Sequence, residues 1–193
     1  MTADAALPQS TTPAQQHWIA LLDAYAQAFP DEIDVVGVFR ELASTDPCAA
    51  RRERHSGHLT GSAWLVSADG ERVLLTHHRK LDRWLQLGGH ADGDADLARV
   101  ALREAEEESG LLDLEVEPAV FDLDRHRIPA RGDEPEHWHY DVRFVVRARG
   151  SEAFVVGEES HALAWRDVAE IARDDAADVS LRRMARKWLA RRA

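Results

Sequence analysis

The sequence predicts an α/β fold of the α+β type, in which a mixed β-sheet is sandwiched between helices and preceded by a helical extension. Short extended segments joined by turn signals, such as 59–67 and 72–77 around Ala68-Asp69-Gly70, predict hairpins. Residues 137–147 alternate between apolar and polar side chains, which predicts a strand with one face of each kind. The 193 residues allow one domain of ordinary size with a short appendage.

The chain divides into three segments by composition and periodicity. Residues 1–16 are rich in Ala, Thr, Gln and Pro, which predicts a mobile tail. Residues 17–57 predict a helical extension, because apolar residues recur at helical spacing before Pro30 and before Asp46-Pro47. Residues 58–193 predict the main domain. Its elements are strands at 59–67, 72–77, 84–87, 114–128, 137–147 and 162–165, with helices at 94–109, 167–173 and 180–191.

Composition excludes several classes of protein. The formal net charge of −11 disfavours binding to a nucleic acid polymer. The single cysteine, Cys48, cannot form an internal disulfide. No apolar run is long enough to span a membrane, and residues 1–16 lack the pattern of a secretory signal. We therefore expect a soluble, cytoplasmic protein without a membrane partner.

The most informative segment is the helix predicted at 94–109, because its carboxylates lie on an unusual face. Leu97, Ala101, Glu104 and Glu108 share one stripe at 3.6 residues per turn, and Glu107 lies beside it. Like charges at this spacing destabilise a helix by about 0.2–0.5 kcal/mol per pair, and burial adds to that cost. A bound hard divalent cation such as Mg²⁺ would turn these unfavourable contributions into favourable ones. Such a cation prefers oxygen ligands and is often shared with substrate phosphates. The alternative is an acidic face in contact with solvent.

The segment 89–111 resembles the Nudix box. The matching positions are Gly89, Arg103, Glu104, Glu107, Glu108, Gly110 and Leu111, and Ala105 occupies an aliphatic position. One position departs from the pattern, because Ala95 stands where the box has Glu, with Asp94 and Asp96 on either side. The Gly88-Gly89-His90 loop before the helix looks like that of a bacterial branch of the family.

The resemblance implies the Nudix fold and hydrolysis of a diphosphate linked to another moiety, typically a nucleoside, with Mg²⁺ or Mn²⁺. By the same resemblance, Glu104, Glu107 and Glu108 are metal ligands. Gly89 contributes its carbonyl to the site, and Arg103 orients a glutamate. For the general base, Glu107 is the first candidate by position, and Glu159 on a later loop is the second.

Further candidates for substrate binding lie outside the helix. His90 follows the glycines directly, where it would face substrate, or else it is an ordinary loop histidine. His137, His139 and Asp141 share one face of their strand and could meet a phosphate, a base or a second metal. The alternative is a polar sheet face packed under the N-terminal helices.

Two other functions stay open at this stage. A binding or regulatory module with a degenerate box is favoured only by Ala95. A Nudix-fold enzyme with other chemistry, such as a prenyl diphosphate isomerase, would need further acid-base groups. The family is often dimeric, so the N-terminal helices are a candidate interface of a homodimer.

Overall fold

The structure is a computed structural model, and it describes residues 11–132, 134–158 and 160–192. In these ranges the chain forms five α-helices and seven strands. The helices are α1 (Pro13–Ala28), α2 (Ile33–Thr45), α3 (Leu97–Ser109), α4 (Val168–Arg173) and α5 (Val179–Arg192). The strands are β1 (Gly57–Val66), β2 (Arg72–His78), β3 (Arg83–Leu85), β4 (Leu87–His90), β5 (Leu114–Ile128), β6 (His137–Ala148) and β7 (Ser160–Asp167).

The strands form one mixed sheet in the order β3-β2-β1-β6-β5, with β4 paired to β1 and β7 paired to β2. The long strands β1 and β6 run parallel, and the other pairs are antiparallel. The predicted mixed sheet between helices is therefore confirmed. No helix among the described residues is long and apolar enough to cross a membrane.

Two hydrophobic clusters cover the two faces of the sheet. On one face, side chains of α1, α2 and α3 pack against β1 and β6, as Trp18, Phe39 and Val100 do against Ala63 and Phe144. On the other face, the buried residues of α4 and α5 pack against the alternate positions of β1, β2 and β6. These include Trp64, Val73, Val145, Ile171, Leu181, Met184 and Trp188.

The N-terminal extension shares the first of these clusters with α3, and it begins earlier than the sequence pattern indicates. Helix α1 starts at Pro13, so residues 13–16, which were predicted as tail, are helical. A capping box explains this start, since Thr12 accepts from the Gln15 backbone and the Gln15 side chain accepts from the Thr12 N–H. Residues 1–10 of the predicted tail lie outside the described residues.

The segment predicted as a glycine loop is a strand. Gly88, Gly89 and His90 belong to β4 and pair with Ser62, Gly61 and Thr60 of β1. Leu87 pairs with Ala63 in the same ladder. This pairing fixes the backbone of β4 in the sheet beside α3. The paired residues of β1 and β4 are far apart in the sequence.

Candidate active site on helix α3 and strand β4

Helix α3 forms as predicted, and it directs the carboxylates of Glu104 and Glu108 toward β4. Asp96 caps its N-terminus by accepting from the Arg99 N–H, and Gly110 ends it in the left-handed conformation at φ 68°. The apolar side, which includes Leu97, Val100, Ala101 and Ala105, is buried against the sheet. The last turns of α3 therefore hold glutamates at the margin of the buried face.

The three glutamates have different surroundings. Glu104 is largely buried, with 17% of its side chain exposed, and its Oε1 accepts from Arg103 Nη2 at 2.6 Å. Glu108 Oε1 accepts from the backbone N–H of Gly88 at 2.8 Å. The side chain of Glu107 is 65% exposed, with Oε1 at 3.9 Å from Arg103 Nε. Glu107 is thus the most accessible to solvent of the three.

Arg103 joins the helix to β4. Its Nη2 also donates to the carbonyl oxygen of His90 at 3.0 Å, in addition to Glu104 Oε1. A guanidinium holds two acceptors in a fixed relative geometry, because its N–H groups are coplanar. Arg103 therefore bridges the Glu104 carboxylate and β4, and its role in orienting a glutamate stays a prediction.

Two positions of β4 require glycine, because atoms of neighbouring residues approach the backbone closely there. A Cβ at Gly89 would lie 2.5 Å from Glu104 Oε2, and a Cβ at Gly88 would overlap Ser62 Oγ. Only glycine therefore lets this strand pass between Ser62 of β1 and the carboxylate of Glu104. The result places the carboxylates of Glu104 and Glu108 against the backbone of β4, and carboxylate oxygens suit a hard cation such as Mg²⁺ or Mn²⁺.

Ala95, the one departure from the box, has its own local support. The indole N–H of Trp18 on α1 donates to the Ala95 carbonyl oxygen at 2.9 Å, and the Ala95 side chain packs against the core. The same loop is also held by the backbone N–H of Gly93, which donates to the Ala50 carbonyl at 2.8 Å. The N-terminal extension therefore braces the loop that leads into α3.

Asp141 lies in the interior and not at a surface, contrary to its predicted place among the substrate contacts. It is 2% exposed, and both carboxylate oxygens are occupied. Oδ1 accepts from the hydroxyls of Thr60 and Ser62, and Oδ2 accepts from Gln86 and from Arg143 Nε at 2.7 Å. The carboxylate of Asp141 is therefore fully engaged in hydrogen bonds inside the protein.

Arg143 and Asp141 belong to a buried ionic network under α5. Arg143 also pairs with Asp122 and Asp124 of β5, and Arg183 of α5 donates to both of these carboxylates. Burial alone would raise the pKa of Asp141, but the Arg143 guanidinium outweighs burial and holds that pKa below its usual range. The polar row of β6 is consequently not packed under the N-terminal helices. Those helices cover its opposite face, where Phe39 meets Tyr140 edge to face.

His139 and His90 lie in a cluster of histidines on the polar face of the sheet. The ring centroids of His58, His90 and His139 are 4.9 to 5.1 Å apart. His137 and His126 adjoin the His139 ring, at 5.1 and 5.6 Å.

The histidines of this cluster are held neutral. Burial, followed by the charges of His90 and His58, lowers the pKa of His139 to about 3. Burial, followed by Arg52 and His58, lowers the pKa of His90 to about 4, and burial also lowers the pKa of His58. A neutral imidazole presents one N–H and one lone pair.

Glu159 is a predicted site residue that the structure does not describe, and His58 is a residue of the cluster that the sequence does not predict. Glu159, the second candidate for the base, lies outside the described residues, and the adjacent Glu158 is exposed. His58 was not predicted as a site residue. The alternation of β1 puts it on the same face as Thr60 and Ser62, but only the parallel pairing His58↔His139 shows that it joins the cluster.

The mixed sheet between helices and the carboxylate-bearing helix α3 agree with the Nudix fold that the sequence resemblance predicts. The family model described as the NUDIX domain matches residues 58–188. The chain therefore belongs to the Nudix family, and it is a Nudix-type hydrolase, as the sequence predicts. A comparison with curated proteins gives no match.

Solved structures support the fold. A C. elegans Ap4A hydrolase binary complex is 16% identical with a TM-score of 0.54, over 68% of this chain and 95% of that one. The E. coli dihydroneopterin triphosphate pyrophosphohydrolase is 18% identical with a TM-score of 0.51, over 69% and 95%. A UDP-X diphosphatase is 14% identical with a TM-score of 0.52 and covers 93% of both chains, so the likeness extends beyond residues 58–188.

Proposed function

We propose that the chain is a divalent-cation-dependent pyrophosphohydrolase that cleaves a diphosphate linkage between a nucleoside and another moiety. The observation that carries this proposal is the approach of Glu104 and Glu108 to the Gly88-Gly89 strand, with Arg103 bridging the two elements. Glu107 lies beside them on α3, with Oε1 at 3.9 Å from Arg103 Nε. The names of the solved relatives, an Ap4A hydrolase and a UDP-X diphosphatase among them, support the substrate class.

Each residue has a role that follows from its surroundings. Glu104, Glu107 and Glu108 would hold Mg²⁺ or Mn²⁺, with the Gly89 carbonyl as a further oxygen donor. When bound, such a cation neutralises phosphate charge and lowers the pKa of water. Arg103 keeps Glu104 in position through its bond to the His90 carbonyl.

Glu107 is the group that we assign to the proton of the attacking water. Arg103 binds Glu104 at 2.6 Å and the Gly88 N–H binds Glu108, whereas Glu107 is the most exposed of the three. An exposed carboxylate at the site margin is accessible to water and can accept a proton. Glu159 stays a prediction as a second candidate.

His90 and Gly89 are the residues that we propose to lie nearest the substrate. Both are in β4, next to the carboxylates of α3, and His90 is half-buried. His139 stays a prediction as a substrate contact through its proximity to His90, at 5.1 Å between rings. Cytoplasmic location and a homodimer through the N-terminal helices likewise stay predictions.

The test compares Glu107→Gln with Glu106→Gln on the same turn of α3. Glu106 is an exposed carboxylate one position away, so the two variants make the same chemical change on one helix. Product release is measured for nucleoside diphosphate-linked compounds, dinucleotides, nucleoside triphosphates and non-nucleotide diphosphates, with Mg²⁺, Mn²⁺ or a chelator. We expect cation-dependent cleavage of one class, lowered about 10²- to 10⁴-fold by Glu107→Gln and within about two-fold of wild type for Glu106→Gln.

Failure would take one of three forms. Binding of cation and nucleotide without turnover of any compound would favour the binding module. Equal rates for both variants would remove Glu107 from the site. A prenyl diphosphate isomerase would convert its substrate without releasing a phosphate product.

A further inference from the structure

The histidine cluster brings one imidazole from each of three hydrogen-bonded strands to one face of the sheet. His58 is in β1, His139 lies opposite it in β6, and His90 pairs with Thr60 at the next position of β1 on that face. The ligand nitrogens of His58, His90 and His139 all lie within 4.8 Å of one another. Nitrogens at this spacing could hold a metal ion.

His58 carries a buried lone pair that nothing in the hydrolase site uses. Its Nδ1 lies 3.4 Å from the carbonyl oxygen of Arg54, which can only accept, so the proton belongs on Nδ1. Its Nε2 is then unprotonated, and that atom is buried with no hydrogen-bond partner among the residues that the structure describes. The residue is 2% exposed, and its ring faces the rings of His90 and His139.

His137 is placed as an outer partner of His139. Its Nδ1 donates to the Pro135 carbonyl at 2.9 Å, and its Nε2 lies 3.2 Å from His139 Nε2. Since the proton of His137 is on Nδ1, the shared proton belongs to His139 Nε2, which leaves Nδ1 of His139 as a lone pair. Histidine ligands of metals commonly donate their other N–H in this way.

We propose that His58, His90 and His139 bind one Zn²⁺-class divalent cation, in a site separate from the carboxylates of α3. Imidazole nitrogens suit zinc and neighbouring transition metals, whereas Mg²⁺ prefers oxygen. Zn–N bonds of about 2.0–2.1 Å place the nitrogens of a tetrahedral site about 3.3 Å apart, so small rotations of these rings close the site. Three histidines leave a fourth position for water or a substrate group.

The buried lone pair of His58 Nε2 favours a cation over a phosphate. A lone pair can bind a metal ion, whereas an anion needs a hydrogen-bond donor or a positive charge. The site would join β1, β4 and β6 at the place where the His90 carbonyl oxygen accepts a hydrogen bond from Arg103. It therefore goes beyond the proposed function and does not rest on it.

The experiment is a metal titration of the full chain without a histidine tag, after removal of metals with a chelator. Co²⁺ is added while the visible d–d absorption of the bound ion is recorded, and Zn²⁺ or Mg²⁺ is then added in competition. We expect one equivalent of Co²⁺ with a low-symmetry spectrum, displaced by Zn²⁺ and unaffected by Mg²⁺. A wild-type chain that shows no such spectrum overturns the proposal by itself.

Variants identify the ligands. We expect His90→Gln and His139→Gln to weaken Co²⁺ binding at least about 100-fold, and His137→Gln to weaken it about 10- to 100-fold. His55→Gln, which changes an exposed histidine near the end of the extension, is the matched control and should bind as wild type does. Circular dichroism checks that each variant is folded.

One further variant distinguishes the histidine site from the carboxylate site of α3. Glu107→Gln should keep the Co²⁺ spectrum and its affinity, even where turnover is lost. A spectrum lost in Glu107→Gln and kept in both His90→Gln and His139→Gln would assign the ion to α3 and contradict the proposal. Turnover without Co²⁺ binding would overturn this inference and leave the proposed function intact.

Discussion

Two halves of one polar row on β6 have opposite chemistry. Asp141 and Arg143 form ion pairs in the interior, where the Arg143 guanidinium is shared among Asp141, Asp122 and Asp124. His137 and His139, one step along the same face, lie among other histidines, and burial lowers the pKa of His139 to about 3. Neighbouring positions of one strand thus contribute to two different groups. One is a network of paired charges, and the other is a cluster of histidines.

What packs over the strand explains the difference. Helix α5 lies over the ionic half, with Met184 Sδ 3.8 Å from Arg143 and with Arg183 and Lys187 reaching Asp122. The histidine half meets the rings of His58 and His90. A fully paired network rigidifies the sheet. The Nε2 of His58, in contrast, is buried without a hydrogen-bond partner among the described residues, and such a lone pair is suited to bind a metal ion.

The largest expected effect comes from breaking the ionic half. Arg143→Met should lower the free energy of unfolding by about 3–5 kcal/mol, because it leaves the buried carboxylate of Asp141 without its countercharge. Arg149→Met is the control, since the Arg149–Glu115 pair is more than half exposed and should cost at most about 1 kcal/mol. Urea unfolding of both variants measures the difference. Equal losses would mean that burial does not distinguish the two pairs.

Metal removal probes the histidine half. Zn²⁺ at about 100 times its dissociation constant should raise the free energy of unfolding by about 2.7 kcal/mol, because the ion binds the folded chain. In chelator the wild-type chain and His139→Gln should differ by about 1 kcal/mol or less. Thermal unfolding with and without Zn²⁺ checks this, and stabilisation that persists in His139→Gln would contradict it.

The pH dependence of stability distinguishes the halves further. Asp141→Asn should cost about 2 kcal/mol near neutral pH, through weaker bonds to Arg143. Because the folded pKa of Asp141 lies below its unfolded value of about 3.9, this stabilisation is present above that value and is lost as pH falls through the folded pKa. Denaturant unfolding from neutral to strongly acidic pH should therefore show the two curves converging in acid. A constant gap would show that Asp141 is not ionised in the fold.

The smallest effect is expected at the brace from α1. Trp18→Phe removes the N–H that donates to the Ala95 carbonyl and should cost about 1 kcal/mol. It should lower turnover by changing the loop before α3, while Co²⁺ binding by the histidines stays as in wild type. Parallel activity and Co²⁺ titrations of this variant check the separation. Loss of Co²⁺ binding would show that the two sites share one support.

The parts of the site that depend on local pattern could be predicted from the sequence. Helix α3, its caps and the order of Arg103, Glu104, Glu107 and Glu108 follow from periodicity and spacing within one segment. The start of α1 at Pro13 also had a local signal, the Thr12–Gln15 capping box, which the prediction missed.

The rest depends on contacts between distant segments. Strand β4 replaces the predicted glycine loop because it pairs with β1, and His58 joins the histidines because β1 and β6 are parallel. The burial of Asp141 depends on Ser62, Arg143 and the cover of α5. Alternation could show that these residues share a face, but it could not show what lies opposite.

The most direct test of the central claim, that the α3 carboxylates support hydrolysis of a phosphoric anhydride, follows the oxygen of water into the products. The full chain acts on the compound it cleaves, with Mg²⁺, in water enriched in the heavy oxygen isotope, and mass spectrometry locates the label. We predict one heavy oxygen in one phosphate-bearing product for the wild type and for Glu106→Gln, and labelling about 10²- to 10⁴-fold slower for Glu107→Gln. Products without solvent oxygen, or labelling by Glu107→Gln at the wild-type rate, would contradict the account.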